Sequence, residues 1–130
     1  LARAEDATWK EGKSSRKGSS AGGAVCSLDD IIAFSKALRN NTLIRQQTLQ
    51  EMTSIQNASL ERTEDYGFGF ILSIKGGEPS YGHGGTADGV NFEFDYFQQQ
   101  DVTLILFNNQ NNGAYDDLKK NIIKLITGDR

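Results

Sequence analysis

The sequence predicts an α+β fold, an antiparallel sheet of about four strands with flanking helices. Apolar residues recur at helical spacing in the first half of the chain and again at its C-terminus, whereas four runs between residues 66 and 107 follow strand patterns. The connections between those runs are short. Short connections favour an antiparallel meander, because a parallel crossover needs a dozen or more residues. We expect the last helix to cover one face of the sheet.

Composition fits a single globular domain. The chain has 130 residues, 37% of them hydrophobic, and a mean hydropathy of −0.51. No run approaches the ~20 apolar residues of a membrane-spanning helix. The net charge of −3 argues against nucleic acid as a partner. The single cysteine, Cys26, excludes an intrachain disulfide, and we interpret it as a small buried residue. We expect no metal and no cofactor.

Residues 1–24 are polar and rich in Gly, Ser and Lys, which predicts an arm or linker ahead of a folded part at 25–130. The first helix begins after Ser27, a good N-cap, and ends at the pair 40–41. A second, shorter helix is predicted over 45–53, followed by a loop over 54–65.

From residue 66 the apolar period changes from 3.6 to 2, which predicts strands. We place them at 66–74, 80–84, 90–97 and 102–107, with turns at 75–78 and 98–101 and a turn signal at 88–89. Gly67 and Gly69 place no side chains on one face of the first predicted strand, so we expect a neighbouring element to pack closely there. The nearly uniform apolar character of the last strand predicts cover on both faces. A helix over 114–127 completes the order.

His83 is the only histidine and lies in the string Gly-His-Gly-Gly at 82–85. A titratable imidazole among glycines on a strand is a candidate site residue, because a ligand can approach the backbone closely there. Without further context, a surface or capping histidine is the simpler interpretation.

The ordered set of motifs favours the site, because it resembles the serine β-lactamase and penicillin-binding-protein family, in its class C-like, D-alanyl-D-alanine peptidase or esterase branch. The matching segments are an Ala-Gly-Gly segment before a helix, a Tyr-Gly-x-Gly segment, the His-x-Gly motif, and the apolar strand and last helix, at 20–30, 66–70, 82–85, 102–108 and 114–127. The resemblance implies a partial β-lactamase/transpeptidase-like fold.

The resemblance also implies roles for individual residues. His83 takes the place of the Lys or His of the family's third motif and steadies the nucleophile and the substrate carboxylate. Gly84 and Gly85 let the substrate backbone lie along the strand, and the Thr86 backbone N–H is one oxyanion-hole donor. Tyr81 is a candidate substrate-facing aromatic, with core packing as the alternative.

The family's acylated serine has no convincing counterpart. The only Ser-x-x-Lys string, at 14–17, lies in the polar arm, and we interpret it as chance. We therefore expect the chain to be the C-terminal portion of a longer serine hydrolase acting on amide, lactam or ester bonds, and to be inactive alone.

Two other interpretations of the chain remain open. The chain is either a non-catalytic peptide- or cell-wall-binding module of the same descent, or a free-standing small α+β domain. The family resemblance implies that the protein is located in the cell envelope or the periplasm, or is secreted. Missing N-terminal strands would leave an open sheet edge, which predicts a homodimer or strand exchange through that edge.

Overall fold

The computed structural model describes residues 2–3, 9–10, 18–20, 22–57, 64–87, 89–110 and 113–128. The helices are α1 (Leu28–Arg39), α2 (Gln46–Met52) and α3 (Ala114–Thr127). The strands are β1 (Ala2–Arg3), β2 (Trp9–Lys10), β3 (Asp65–Tyr66), β4 (Ile71–Lys75), β5 (Glu78–Ala87), β6 (Val90–Phe97) and β7 (Val102–Asn108). None of the helices in the described part of the chain has the length and apolar character needed to cross a membrane.

The main sheet is antiparallel throughout, in the order β3-β4-β5-β6-β7, so the predicted α+β class is confirmed. It has five strands rather than about four, since Asp65–Tyr66 forms a short strand of its own. Strands β1 and β2 make a separate two-stranded sheet inside the predicted polar arm. The Ser-x-x-Lys string at 14–17 and Asp88 of the predicted turn at 88–89 lie outside the described residues.

Helix α1 begins as the sequence predicts. Ser27 accepts a hydrogen bond from the Asp30 backbone N–H, and the Asp30 carboxylate accepts one from the Ser27 N–H at 2.8 Å, which together form a capping box. These hydrogen bonds lower the pKa of Asp30. Cys26, just before the cap, is exposed, so its interpretation as a buried residue was wrong.

The predicted strand over 66–74 is broken by a turn. The Gly67 N–H donates to the Phe70 carbonyl at 2.8 Å, and Gly69 has φ +83°, a backbone conformation that glycine adopts at little cost. Close packing is confirmed at Gly67, where a Cβ would meet the Met52 carbonyl at the end of α2, and not at Gly69, which faces open space. As a result Phe68 is 58% exposed instead of buried with Phe70.

The hydrophobic core lies between the sheet and the pair α1 and α2. Leu38, Phe70, Tyr81 and Phe94 form its buried centre, with half-buried apolar residues of both helices around it. Strand β7 is less covered than predicted, because Leu104 is buried but Phe107 is 49% exposed. Helix α3 packs on the opposite face of the sheet, where Lys119 binds Glu93, the neighbour of the core residue Phe94 in β6, so the described fold has three layers.

Candidate functional site

The register of the sheet leaves one end of β5 without a neighbour on the β4 side. Strand β4 pairs with β5 from Lys75↔Glu78 to Ile71↔Gly82 and no further. Strand β6 pairs with β5 as far as Ala87↔Val90. Among the strands that the structure describes, the segment 83–87 therefore has a partner on the β6 side only. This segment contains the His-Gly-Gly-Thr string that the sequence singled out.

Successive side chains of a strand point to opposite faces, and this divides the predicted site residues into two sets. His83 and Gly85 lie on the face that carries Tyr81 and the core, as their cross-strand partners Phe94 and Phe92 do. Gly84 and Thr86 lie on the α3 face, opposite Glu93 and Asn91. His83, Gly85 and Thr86 are exposed and Gly84 is half-buried.

The imidazole of His83 is fixed by two hydrogen bonds. Its Nδ1 lies 2.6 Å from the Gly84 carbonyl oxygen, and its Nε2 lies 2.8 Å from the Tyr66 hydroxyl. A carbonyl only accepts, so Nδ1 carries the proton, and neutral Nε2 then accepts the Tyr66 O–H. The two rings meet edge to face with centroids 5.8 Å apart. In a protonated imidazole the Nε2–H would instead donate to the Tyr66 hydroxyl oxygen, so both contacts would be kept.

Tyr66 was not among the site residues predicted from the sequence. It reaches His83 because the turn over 67–70 folds β3 back beside β4, with Tyr66 paired to Ile71 and Ile71 paired to Gly82. The sequence signal was the Tyr-Gly-x-Gly string, which we interpreted as a continuous strand. The tyrosine of this string could therefore have been noted from the sequence, but only the order of the strands shows that it contacts His83.

Tyr81 lies in the core. Its side chain is 4% exposed and packs edge to face on Phe70, with centroids 5.3 Å apart, and against Tyr96. Burial raises the pKa of its phenol to about 12. The structure places Tyr81 in the packing position that the sequence left as the alternative, and we do not include it in the proposed site.

On the α3 face, two carboxyl groups of β6 lie over the glycines of β5. The Lys75 Nζ is 2.9 Å from Glu93 Oε1 and also contacts Asp95, and the Lys119 Nζ is 2.7 Å from Glu93 Oε2. A Cβ on Gly84 would lie 2.8 Å from Glu93 Oε2, and one on Gly82 would meet the Phe94 carbonyl and the Asp95 carboxylate. We call Lys75, Glu93, Asp95 and Lys119 the buried charge cluster.

The two carboxyl groups of this cluster differ in proton affinity. Burial, and then the hydrogen bond with Glu93, raise the pKa of Asp95 to about 6. Burial opposes ionisation of Glu93 too, but hydrogen bonds from Asp95, Lys119 and Lys75 outweigh it and hold its pKa at about 2. Below about pH 6 the proton of this pair therefore resides on Asp95, and above it the two lysines face two carboxylates.

The buried charge cluster borders a cavity of about 820 Å³ that also touches Gly84–Thr86 from the α3 side. Its lysines and carboxyl groups are hydrogen-bonded to one another, so they are structural rather than ligand-binding in this arrangement. Within the described ranges, no group of three or more His, Cys, Asp or Glu side chains is placed to hold a metal ion.

No family model and no curated protein matches this sequence. Among solved structures, a penicillin binding protein from Bacillus halodurans matches with 23% identity and a TM-score of 0.62, over 75% of this chain and 30% of that one. D-amino acid amidase from Ochrobactrum anthropi SV3, complexed with D-phenylalanine, matches with 21% identity and a TM-score of 0.63, over 78% of this chain and 32% of that one.

These likenesses confirm that the chain has part of a serine β-lactamase-like fold, as the motifs predicted. At such identities they show the fold alone. The chain spans about a third of the length of either solved structure.

Proposed function

We propose that this chain is the C-terminal part of a serine hydrolase of the β-lactamase, D-Ala-D-Ala peptidase or esterase type, and that the segment 83–87 of β5 is its substrate-binding edge. The observation that carries the proposal is the unpaired stretch of β5 with His83 exposed on it. An extended acyl peptide can add to such an edge through main-chain hydrogen bonds. The D-amino acid amidase and the penicillin binding protein make amides and lactams the first substrates to test.

In this proposal the nucleophilic serine belongs to a part of the protein outside 1–130. Its hydroxyl oxygen attacks the substrate carbonyl, the amine or alcohol leaves with a proton, and water then hydrolyses the ester intermediate. Thr86 provides one backbone N–H to the developing oxyanion, and losing one such donor typically costs about 10²–10³ in rate. The chain alone lacks the second donor and the nucleophile, so we expect it to be inactive.

His83 acts next to the reacting atoms as a hydrogen-bonding group. Its Nδ1–H is used by the Gly84 carbonyl, which leaves Nε2 and the Tyr66 hydroxyl as the pair that faces a ligand. A substrate carboxylate is an acceptor, so it would bind the pair with the imidazole protonated or with the phenol turned toward it. Gly85 keeps this face open, since no atom lies within 4 Å of the position of its absent Cβ.

A second candidate is a non-catalytic module that binds peptides or cell-wall fragments on the same edge. In its favour, the binding edge and the His83–Tyr66 pair lie entirely within this chain, so a ligand could bind them without an upstream serine. The two candidates share the binding edge and differ only in whether an upstream serine is acylated.

Binding is tested on the 130-residue chain itself. Titration of the ¹⁵N-labelled chain with an acyl-D-Ala-D-Ala peptide should shift the amide resonances of 83–87, and His83→Asn should weaken that binding about tenfold or more. Gln98→Ala, at an exposed turn at the other end of β6, is the matched control and should bind normally. Amide shifts elsewhere, or none at all, would exclude the segment 83–87 as a peptide-binding edge of this chain.

Catalysis is tested on the longest natural protein that contains this sequence. Incubation with a fluorescent penicillin and with a nitrophenyl ester, followed by peptide mass mapping, should locate an acylated serine in a Ser-x-x-Lys string upstream of residue 1. Binding without acylation by either reagent would favour the non-catalytic module.

A further inference from the structure

We propose that Asn57 is a positioning residue of the candidate site, whose side chain holds Tyr66 where the Tyr66 hydroxyl meets His83. The Asn57 amide lies between two main-chain groups of the segment that leads into β3. Its Oδ1 accepts a hydrogen bond from the Tyr66 N–H at 3.0 Å, and its Nδ2 donates one to the Glu64 carbonyl at 2.9 Å. A carbonyl only accepts and a main-chain N–H only donates, so these two partners fix the orientation of the amide.

Both main-chain groups of Tyr66 are bonded to the segment that follows α2. The Gln56 N–H donates to the Tyr66 carbonyl at 2.8 Å, and Asn57 accepts from the Tyr66 N–H. The N–H and C=O of one strand residue point to the same side, so Tyr66 turns this side away from β4, its partner strand. Strand β3 has two residues and pairs with β4 only in the described sheet. The hydrogen bonds from 56–57 therefore hold Tyr66 where a neighbouring strand would otherwise do so.

The segment that makes these bonds is itself attached to the end of α2. The Gln56 Nε2 donates to Ser54 Oγ at 2.8 Å and to the Glu51 carbonyl at 3.1 Å. Ser54 Oγ donates to the same Glu51 carbonyl at 2.8 Å. The last carbonyls of a helix have no partner within it, and here side chains of the following segment bond one of them. This fixes residues 54–57 as a support for β3.

After Tyr66 the chain contacts α2 a second time, because the Phe68 N–H donates to the Met52 carbonyl at 2.9 Å. The main chain is therefore bonded to the same support at Tyr66 and two residues beyond it. A small rotation of this main chain would displace the hydroxyl at the far end of the tyrosine side chain. These bonds therefore keep that hydroxyl 2.8 Å from His83 Nε2. The bond from Asn57 is made by a side chain, so a substitution can remove it.

Positioning of the Tyr66 hydroxyl is a property of the chain without ligand. Its consequence for binding rests on the proposed function, in which the Tyr66–His83 pair faces the ligand. Asn57 bonds the main chain of Tyr66 and Glu64, so it influences a ligand only through Tyr66.

Imidazole ¹⁵N shifts of the 130-residue chain test the positioning directly. Asn57→Ala should lower the ratio of the Nδ1–H to the Nε2–H tautomer of neutral His83 about two- to fivefold, at most the effect of losing one neutral hydrogen bond. Asn57→Asp keeps an acceptor for the Tyr66 N–H and should retain a ratio within about twofold of the natural one. An unchanged ratio in Asn57→Ala, or an equal fall in Asn57→Asp, would overturn the proposal.

A double variant separates positioning from a general loss of structure. In the Tyr66→Phe background, Asn57→Ala should leave the tautomer ratio unchanged, because the hydroxyl that Asn57 positions is gone. Its effect on the urea midpoint should persist there, since the bonds to the main chain are lost in both backgrounds. A further fall of the ratio in the double variant would show that Asn57 acts on His83 by another route and would overturn the proposal.

Asn108→Ala is the matched control. The Asn108 side chain also bonds main chain in both directions, donating to the Gln110 carbonyl at 2.9 Å and accepting from the Gln110 N–H at 3.1 Å. It lies on β7, separated from β5 by β6, and its substitution should leave the His83 tautomer ratio unchanged. Circular dichroism of each variant checks that its fold is retained.

Titration with the acyl-D-Ala-D-Ala peptide tests the consequence for binding. Asn57→Ala should weaken binding about threefold or more, and should weaken it no further in the Tyr66→Phe background. A natural chain that does not bind the peptide would contradict the proposed function and leave the tautomer result standing. Normal binding with an unchanged tautomer ratio in Asn57→Ala would instead contradict the role of Asn57 alone.

Discussion

At the scale of single residues, the structure uses polar side chains in two different ways on the two faces of β5. On one face His83 is exposed and held by Tyr66 and by its neighbour's carbonyl. On the other face, Glu93 and Asp95 are buried and neutralised by lysines from β4 and α3. The first arrangement leaves a polar group available to a ligand, whereas the second satisfies every charge internally.

The Tyr66 hydroxyl should set the tautomer of His83. Tyr66→Phe removes the donor to Nε2, so we expect the ratio of the Nδ1–H to the Nε2–H tautomer to fall about fivefold, the equivalent of one neutral hydrogen bond of about 1 kcal/mol. Imidazole ¹⁵N shifts report the ratio directly, and one histidine makes their assignment unambiguous. Tyr96→Phe, which loses a hydroxyl hydrogen bond to Asp101, is the control. An unchanged ratio in Tyr66→Phe would contradict the assignment.

Asp95 should make stability depend on pH in the direction opposite to an ordinary salt bridge. Its pKa is raised to about 6 by burial and by Glu93, so the folded chain holds this proton more tightly than the unfolded chain does. The stability it contributes is complete below about pH 4 and is lost as the pH rises through about 6.

In Asp95→Asn the carboxamide donates to Glu93 at every pH. Relative to the natural chain, its free energy of unfolding should therefore rise between pH 4 and pH 7, by at most about 3 kcal/mol. Urea titrations at several pH values measure this difference. Parallel pH profiles for the two proteins would show that Asp95 is ionised in the folded state.

At the scale of elements, glycine positions decide how strands approach one another. Gly67 lets the end of α2 touch the turn before β4, and Phe68 donates its N–H to the Met52 carbonyl at 2.9 Å there. Gly76 and Gly77, both at positive φ, close the two-residue hairpin between Lys75 and Glu78. In β5, Gly82 and Gly84 instead make room for the neighbouring strand β6. Part of the glycine pattern around His83 therefore serves strand packing.

The glycines of β5 should therefore tolerate alanine unequally. Gly82→Ala puts a methyl group against the β6 backbone and should cost about 1–3 kcal/mol, the usual range for overpacking. Gly84→Ala meets the end of the Glu93 side chain and should cost less, about 1 kcal/mol.

Gly85→Ala enters open space and should change the stability by less than about 0.5 kcal/mol. It should still weaken peptide binding if the face with His83 receives the ligand. Denaturant unfolding and the peptide titration separate the two effects. Equal losses in the free energy of unfolding for Gly82→Ala and Gly85→Ala would show that strand packing does not explain the glycines around His83.

At the scale of the whole molecule, two edges of the described sheet differ in character, the segment beside His83 and the terminal strand β7. The first is short and glycine-rich, which suits a small extended ligand, whereas the second is seven residues long and apolar. An apolar edge of this kind is suited to pairing with a further strand.

Local sequence patterns were sufficient to predict the elements that are stabilised mainly by their own residues. Ser27 and Asp30 cap α1 with their own side chains, and β6 and α3 were predicted at the bounds observed, Val90–Phe97 and Ala114–Thr127. Turn chemistry at 75–78 follows from two adjacent glycines. The ordered motifs also determined the fold class and the partial β-lactamase-like fold, and they drew attention to the His-Gly-Gly-Thr string.

Tertiary structure decided everything that depends on which strand lies next to which. Alternating apolar residues at 66–74 predicted one strand, but the approach of Met52 to Gly67 and the Gly67–Phe70 hydrogen bond made it a turn. That turn brought Tyr66 to His83. The pairing of β5 with β6 likewise buried Asp95 and gave Gly84 a packing role. Contacts between residues distant along the chain leave no periodic signal in the sequence, so the partner of His83 and the open edges became visible only in the folded sheet.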